Sequence, residues 1–252
     1  IKELEKLLKA KSDSIAGLIL EPYVQAAGGI KVAEDGYLKE IQKICNKYNI
    51  LLILDEVATG FGRTGEMFAC DHDNVTPDIL VLGKGLTGGY LPLSATITTD
   101  DIFNTFLGEH EELKAFFHGH SYSGNPLSCS AAIANLDIFE EERTIIKAKK
   151  VIKVFENELK EFSGLKHVSS IRNKGLMAGI DLQRDPQNDV SYKLKDRIGK
   201  KVCDQAKSEG VLIRPLGDTI VIMPPVSIKE KELKKLTKSI YKSIKEVTEN
   251  ES

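Results

Sequence analysis

No apolar run in these 252 residues approaches the roughly 18 needed to cross a bilayer as a helix, so no membrane span is expected. Charge of one sign is also missing: 35 Lys and Arg stand against 37 Asp and Glu, a net charge of −2. That balance, with no basic face, argues against nucleic acid and membrane surfaces as partners. Cysteine is sparse. Cys45, Cys70, Cys129 and Cys203 are widely separated, with no C-x-x-C spacing and no His/Cys cluster. Zinc and any other metal site are therefore not expected, and the four read as reduced, packed thiols. No signal-peptide pattern opens the chain, so a cytoplasmic location is expected.

What is present is enough apolar residue, 41%, for a sizeable core. The stretch from Ile50 to Leu91 organises it. Ile50-Leu51-Leu52-Ile53-Leu54 is a short continuous apolar run suited to a buried parallel strand, and Asp55-Glu56 closes its C-terminal end. In an open α/β sheet ligands bind at that end. A second run, Ile79-Leu80-Val81-Leu82, leads into Gly83-Lys84-Gly85-Leu86-Thr87-Gly88-Gly89. A carboxylate and a lysine are thus set at the ends of two strands. The pair suits pyridoxal 5′-phosphate, whose aldehyde forms a Schiff base with a lysine and whose ring nitrogen a carboxylate keeps protonated. The plainer alternatives are a helix cap or solvated pair at Asp55-Glu56 and a flexible surface lysine at Lys84.

Around this stretch the pattern predicts a helix over 1–11, a buried strand over 15–20 ended by Glu21-Pro22, and a loop at Gly28-Gly29. A crossover helix over 36–48 then makes a βαβ unit with parallel strands. Gly60-Phe61-Gly62-Arg63-Thr64-Gly65 has glycines at nucleotide-loop spacing but no Walker lysine, and is not read as a phosphate site. A strand over 92–98 and a short helix over 100–106 follow. Next come one or two long helices over 125–162, where Pro126 suits a first turn and Ala131, Ala132 and Ala134 allow close packing. Beyond it the pattern predicts strands over 168–171 and 176–182, a helix over 192–208, a β pair from 211–214 and 219–223, and a final amphipathic helix over 228–247. Mixed order of this kind suggests a small α+β domain. The domain change is placed near residue 140, giving 1–140 and 141–252.

The segment from Leu52 to Thr96, LILDEVATGFGRTGEMFACDHDNVTPDILVLGKGLTGGYLPLSAT, resembles the core of class III, fold type I, pyridoxal-phosphate-dependent aminotransferases. EPYVQAAGGI, HGHSYSGNPLSCSAA and IRPLGDTIVIMPP resemble three more blocks of the same family, in the same order along the chain. The likeness runs furthest towards members that convert 8-amino-7-oxononanoate to 7,8-diaminononanoate in biotin biosynthesis, with S-adenosylmethionine or lysine as amino donor. It implies an α/β fold with a mainly parallel sheet in a partial large domain, plus the small α+β domain. It also implies a homodimer with active sites at the interface.

By that resemblance Lys84 is the Schiff-base lysine and Asp55 the partner of the ring nitrogen. Val57 packs on the ring, while Thr87 and Gly88-Gly89 shape the loop behind Lys84. Ser121, where relatives commonly have threonine, reaches the cofactor phosphate of the other subunit. Arg63 and Arg214 are assigned to substrate recognition, Arg214 to the carboxylate of the keto acid; a structural ion pair is the alternative for each. Gly119 and His120 fall on the amine-donor side, although either histidine of the 118–120 loop could be a packed loop residue. His120 stands where relatives often have proline or serine, and Val221 where these aminotransferases often carry an aromatic. The family's N-terminal portion, with its glycine/serine phosphate loop and ring-stacking aromatic, has no counterpart here. The chain is therefore expected to be the C-terminal part of an aminotransferase. Another class III activity, such as an ω-amino acid or ornithine aminotransferase, and a non-catalytic fragment or assembly subunit, are the alternatives.

Overall fold

A computed structural model describes residues 1–249 as an α/β chain in two compact units. The first comprises residues 1–23, 34–61 and 66–143, and the second, among the described residues, 24–33, 62–65 and 144–249. A single cut at residue 140 does not describe this division, because two short upstream segments count with the second unit.

The first unit begins with α1 (Lys2–Lys11), then β1 (Gly17–Leu20), α2 (Tyr37–Lys47), β4 (Leu51–Asp55), β5 (Ile79–Leu82) and β6 (Ala95–Thr98). Numbers β2 and β3 belong to a short hairpin of the second unit, Val24–Gln25 with Lys31–Val32. The sheet order is β1-β4-β5-β6; the first three strands are parallel and β6 runs antiparallel to β5. Helix α2 puts Leu38, Ile41, Ile44 and Cys45 on one face, where they pack with Leu52 and Leu54 of β4. Burying that stripe, at spacings of three and four, is what fixes the helix on the sheet. Asp78 accepts the Leu52 amide at 2.7 Å, tying the start of β5 to β4. After α3 (Asp100–Asn104), helix α4 (Pro126–Glu141) starts at an Asn125 cap whose side chain accepts from the amides of Leu127 and Ser128.

The second unit is built on an antiparallel sheet in the order β7-β8-β10-β9, formed by Val168–Lys174, Met177–Leu182, Thr219–Ile222 and Pro215–Leu216. Helices α5 (Thr144–Glu161), α6 (Ile198–Ser208) and α7 (Glu230–Glu249) cover it. Phe155, Phe162, Ile180, Ile220 and Ile240 are fully buried in one core. The expected helical stretch over 125–162 is two helices. Arg143 adopts a left-handed φ of 52° between them.

Two expected elements differ. The strand over 211–214 is not formed; the hairpin is made by Pro215–Leu216, paired to Thr219–Ile222 around Gly217-Asp218. Pro215 has no N–H, so the ladder ends there. The helix over 192–208 begins only at Ile198, because residues 194–196 form a separate 3-10 turn and Arg197 is left-handed. Asp218 supplies the missing cap, accepting the Gly199 amide at 2.9 Å.

Candidate active site

Asp55 is the last residue of β4 and Lys84 follows the end of β5, the neighbouring parallel strand. The half-buried Asp55 carboxylate accepts the Val57 amide at 3.0 Å through one oxygen. Its other oxygen accepts no hydrogen bond among the described residues. The Val57 side chain reaches the Gly83 backbone, where an added Cβ would lie 3.4 Å from it. Glu56, between them in sequence, is completely buried. It accepts from the Thr59 hydroxyl and, at 2.8 Å, from the Cys70 amide. Burial pushes its carboxyl above the ordinary value, and those hydrogen bonds only partly offset the effect. The plainer alternative of a solvated pair does not hold for Glu56, which is buried and bonded to Thr59 and Cys70.

Lys84 opens a 3-10 turn, Lys84–Thr87, and itself sits at φ 42°. A left-handed conformation in a residue with a Cβ costs roughly 1–2 kcal/mol and must be held by its surroundings. Three contacts hold it. Gly85 packs so closely on Phe61 that an added Cβ would lie 2.8 Å from the Phe61 side chain. The Thr87 hydroxyl donates to Leu91 O at 2.5 Å. From α4, the Asn135 side chain donates to Gly85 O at 2.9 Å and Leu86 O at 3.2 Å. Phe61, Leu82, Leu86 and Ala132 form the apolar cluster beneath.

Lys84 is exposed and lines an open cavity of about 1000 Å³ with Thr87, Tyr90, His120, Tyr122 and Ser123. The cap residue Asn125 and the first turn of α4 border the same space. His120 is thus brought to Lys84's cavity, and its Nδ1 accepts the Tyr122 amide at 3.2 Å. Gly119 and Ser121 lie in the same exposed loop without lining the cavity. Asp55 and Val57 do not line that cavity, but a primary amine on it and a carboxylate with an uncommitted oxygen at the end of the neighbouring parallel strand are the donor set pyridoxal 5′-phosphate needs.

The two arginines belong to the second unit. Arg63 is half-buried and donates from Nη1 to Pro224 O; burial lowers its affinity for a proton. Arg214 is exposed, just before β9. The glycines around Arg63 serve backbone packing: at Gly175 an added Cβ would fall 2.5 Å from Arg63 and Thr64 backbone atoms, and Leu176 donates to Arg63 O at 2.9 Å. Among the described residues no group of three or more His, Cys, Asp and Glu could hold a metal, and no helix is long and apolar enough to cross a membrane.

Sequence reasoning missed Glu56 and Asn135. Ala132, Asn135 and Phe139, spaced by three and four on α4, were the available signal for the second: an amide in an otherwise apolar helical stripe.

A strand-end carboxylate, a lysine after the adjacent strand, and a separate antiparallel-sheet unit define an α/β enzyme fold of the transaminase kind. The sequence model of the family described as aminotransferase class-III matches residues 1–244, and the chain belongs to that pyridoxal-phosphate-dependent family. It is 45% identical over 248 residues to adenosylmethionine-8-amino-7-oxononanoate aminotransferase of Geobacter sulfurreducens, covering 98% of this chain and 55% of that one. Mitochondrial ornithine aminotransferase of Arabidopsis thaliana is 35% identical over 242 residues, covering 94% of this chain and 48% of that protein. The crystal structure of adenosylmethionine-8-amino-7-oxononanoate aminotransferase from Methanocaldococcus jannaschii superimposes with a TM-score of 0.94 at 44% identity, over 97% of this chain and 57% of the other. The chain spans about half the length of the curated relatives it matches.

Proposed function

We propose that this chain supplies the lysine and the ring-nitrogen acid of an aminotransferase that converts 8-amino-7-oxononanoate to 7,8-diaminononanoate, with S-adenosylmethionine or lysine as amino donor. The observation that carries the reading is the exposed Lys84 amine on its cavity, one strand away from the half-buried Asp55. The 44–48% identity to several adenosylmethionine-8-amino-7-oxononanoate aminotransferases supports the choice of substrate.

When bound, pyridoxal 5′-phosphate supplies an electron sink for the pair left at the donor carbon. Lys84 would hold it through the ε-amine, and its free amine would serve as the general base for the proton on the donor carbon. Asp55 holds a proton at the pyridine nitrogen, and Val57 packs on the ring. Ser121 offers its hydroxyl to the phosphate bound by a second copy of the chain, so a homodimer is part of the proposal. His120 and Gly119 contact the donor, Arg63 takes part in substrate recognition, and Arg214 offers a planar fork to the keto-acid carboxylate. The setting is cytoplasmic.

The visible absorption spectrum with added pyridoxal 5′-phosphate, compared with Lys84→Ala, tests this. A Lys84-dependent band that an amino donor abolishes is the expected result. A spectrum identical in the two proteins assigns no cofactor chemistry to this chain by itself and sinks the proposal for it. The 35% identity to an ornithine aminotransferase supports a second reading, a different class III substrate. A panel of amino donors separates the two.

A further inference from the structure

We propose that Asn135 is a positioning residue for Lys84, acting from helix α4 on the turn that presents the amine. The inference rests on the reading of Lys84 as the cofactor lysine and adds a residue to it. Lys84 is held in a left-handed conformation at φ 42° although it has a full side chain. Such a residue persists only where its neighbours over-determine it. The neighbour that reaches the turn by hydrogen bonds from another element is Asn135. Its amide nitrogen donates to two successive carbonyls, Gly85 O at 2.9 Å and Leu86 O at 3.2 Å.

Its carbonyl oxygen faces the far end of the same turn, where a Cβ built on Gly88 would lie 3.0 Å from it. Gly88 is left-handed, at φ 61°. One side chain therefore spans the turn from the residue after Lys84 to its C-terminal cap. Asn135 is half-buried and shares its helix face with Ala132 and Phe139, which pack in the cluster under Leu86. The apolar contacts seat the helix, and the amide sets the direction of the turn. At an asparagine only the NH2 can donate to carbonyls. Aspartate keeps the size and removes the donors; leucine keeps the approximate size and removes all polarity.

The test uses the 252-residue chain as it is. Wild type, Asn135→Asp and Asn135→Leu are incubated with pyridoxal 5′-phosphate, reduced with borohydride, and the labelled lysines mapped by mass spectrometry. Hydrogen exchange is followed at the Leu86 and Gly88 amides, which bond to Gly83 O and Gly85 O. The share of label at Lys84 is expected to fall by about tenfold or more in both variants, within the roughly 100-fold that a misplacement of about 1 Å can cost. Exchange at the two amides is expected to quicken. A role confined to packing would lower the unfolding midpoint while leaving the Lys84 share and the exchange at wild-type values, and that result overturns the inference. Should one variant fail to fold, the other carries the same two readouts. A wild-type chain without preference for Lys84 refutes the cofactor-lysine reading itself.

Discussion

Among single residues, Arg172 ties the β2–β3 loop to the antiparallel sheet of the second unit. Its guanidinium forms a two-pronged pair with Asp181, one prong at 2.8 Å, and donates to Gly29 O at 2.8 Å, Ile30 O at 3.0 Å and the Ser170 hydroxyl at 2.8 Å. Asp181 also accepts from Thr219 at 2.7 Å. Burial raises the Asp181 carboxyl, but the bonds from Arg172 and Thr219 outweigh it and hold the group below its ordinary value. Stability from this pair is present above the unfolded-state pKa and is lost as pH falls through the folded-state value. Arg172→Met leaves the carboxylate and two loop carbonyls short of donors. It is expected to destabilise the chain by about 2 kcal/mol, read by urea denaturation at neutral pH, and by less in acid. Equal loss at both pH values would mean the ion pair contributes nothing beyond packing.

Among elements, the turn after β4 is set by the buried Glu56. Folding takes this carboxyl out of water and raises it above its ordinary value of 4.5. The folded state then holds the proton more tightly than the unfolded chain, so stability falls as pH rises from 4.5 through the raised value. Glu56→Gln removes that titration. Its unfolding midpoint is expected to fall less than that of wild type between pH 5 and pH 7, measured by thermal melts. Parallel pH profiles would remove Glu56 as a source of pH dependence. The strands and helices themselves were largely legible, since continuous apolar runs marked β1, β4 and β5, and three-four spacing marked α2 and α7. The failures at 211–214 and 192–197 lie where Pro215, Gly217 and the distant cap Asp218 decide the local chain.

For the whole molecule, the first unit displays apolar side chains in quantity: Phe117 is 80% exposed, Tyr122 72%, Leu127 71% and Ile133 61%. Phe117, Tyr122, Leu127 and Ile133 fall within seventeen residues of one another in the sequence, and apolar surface of this kind, where contiguous, marks interaction sites. The chain is expected to self-associate with rising concentration in sedimentation equilibrium, and Phe117→Lys with Leu127→Lys to shift it towards monomer. A wild-type chain monomeric at all concentrations would remove the proposed homodimer for this chain.

The sequence alone carried the family, through the blocks around Asp55 and Lys84 that resemble it, and the strands before those two residues, because buried parallel strands demand continuous apolar runs. Lys84 and Asp55 became candidates through the same resemblance, since their spacing alone also suits a cap and a surface lysine. Only the tertiary structure decided that Glu56 is buried and bonded to Thr59 and Cys70, and that the Lys84 turn is gripped by an amide fifty residues downstream of Gly85. Both depend on contacts between segments distant in sequence. A single sequence's local pattern carries no record of which distant donor finds which acceptor.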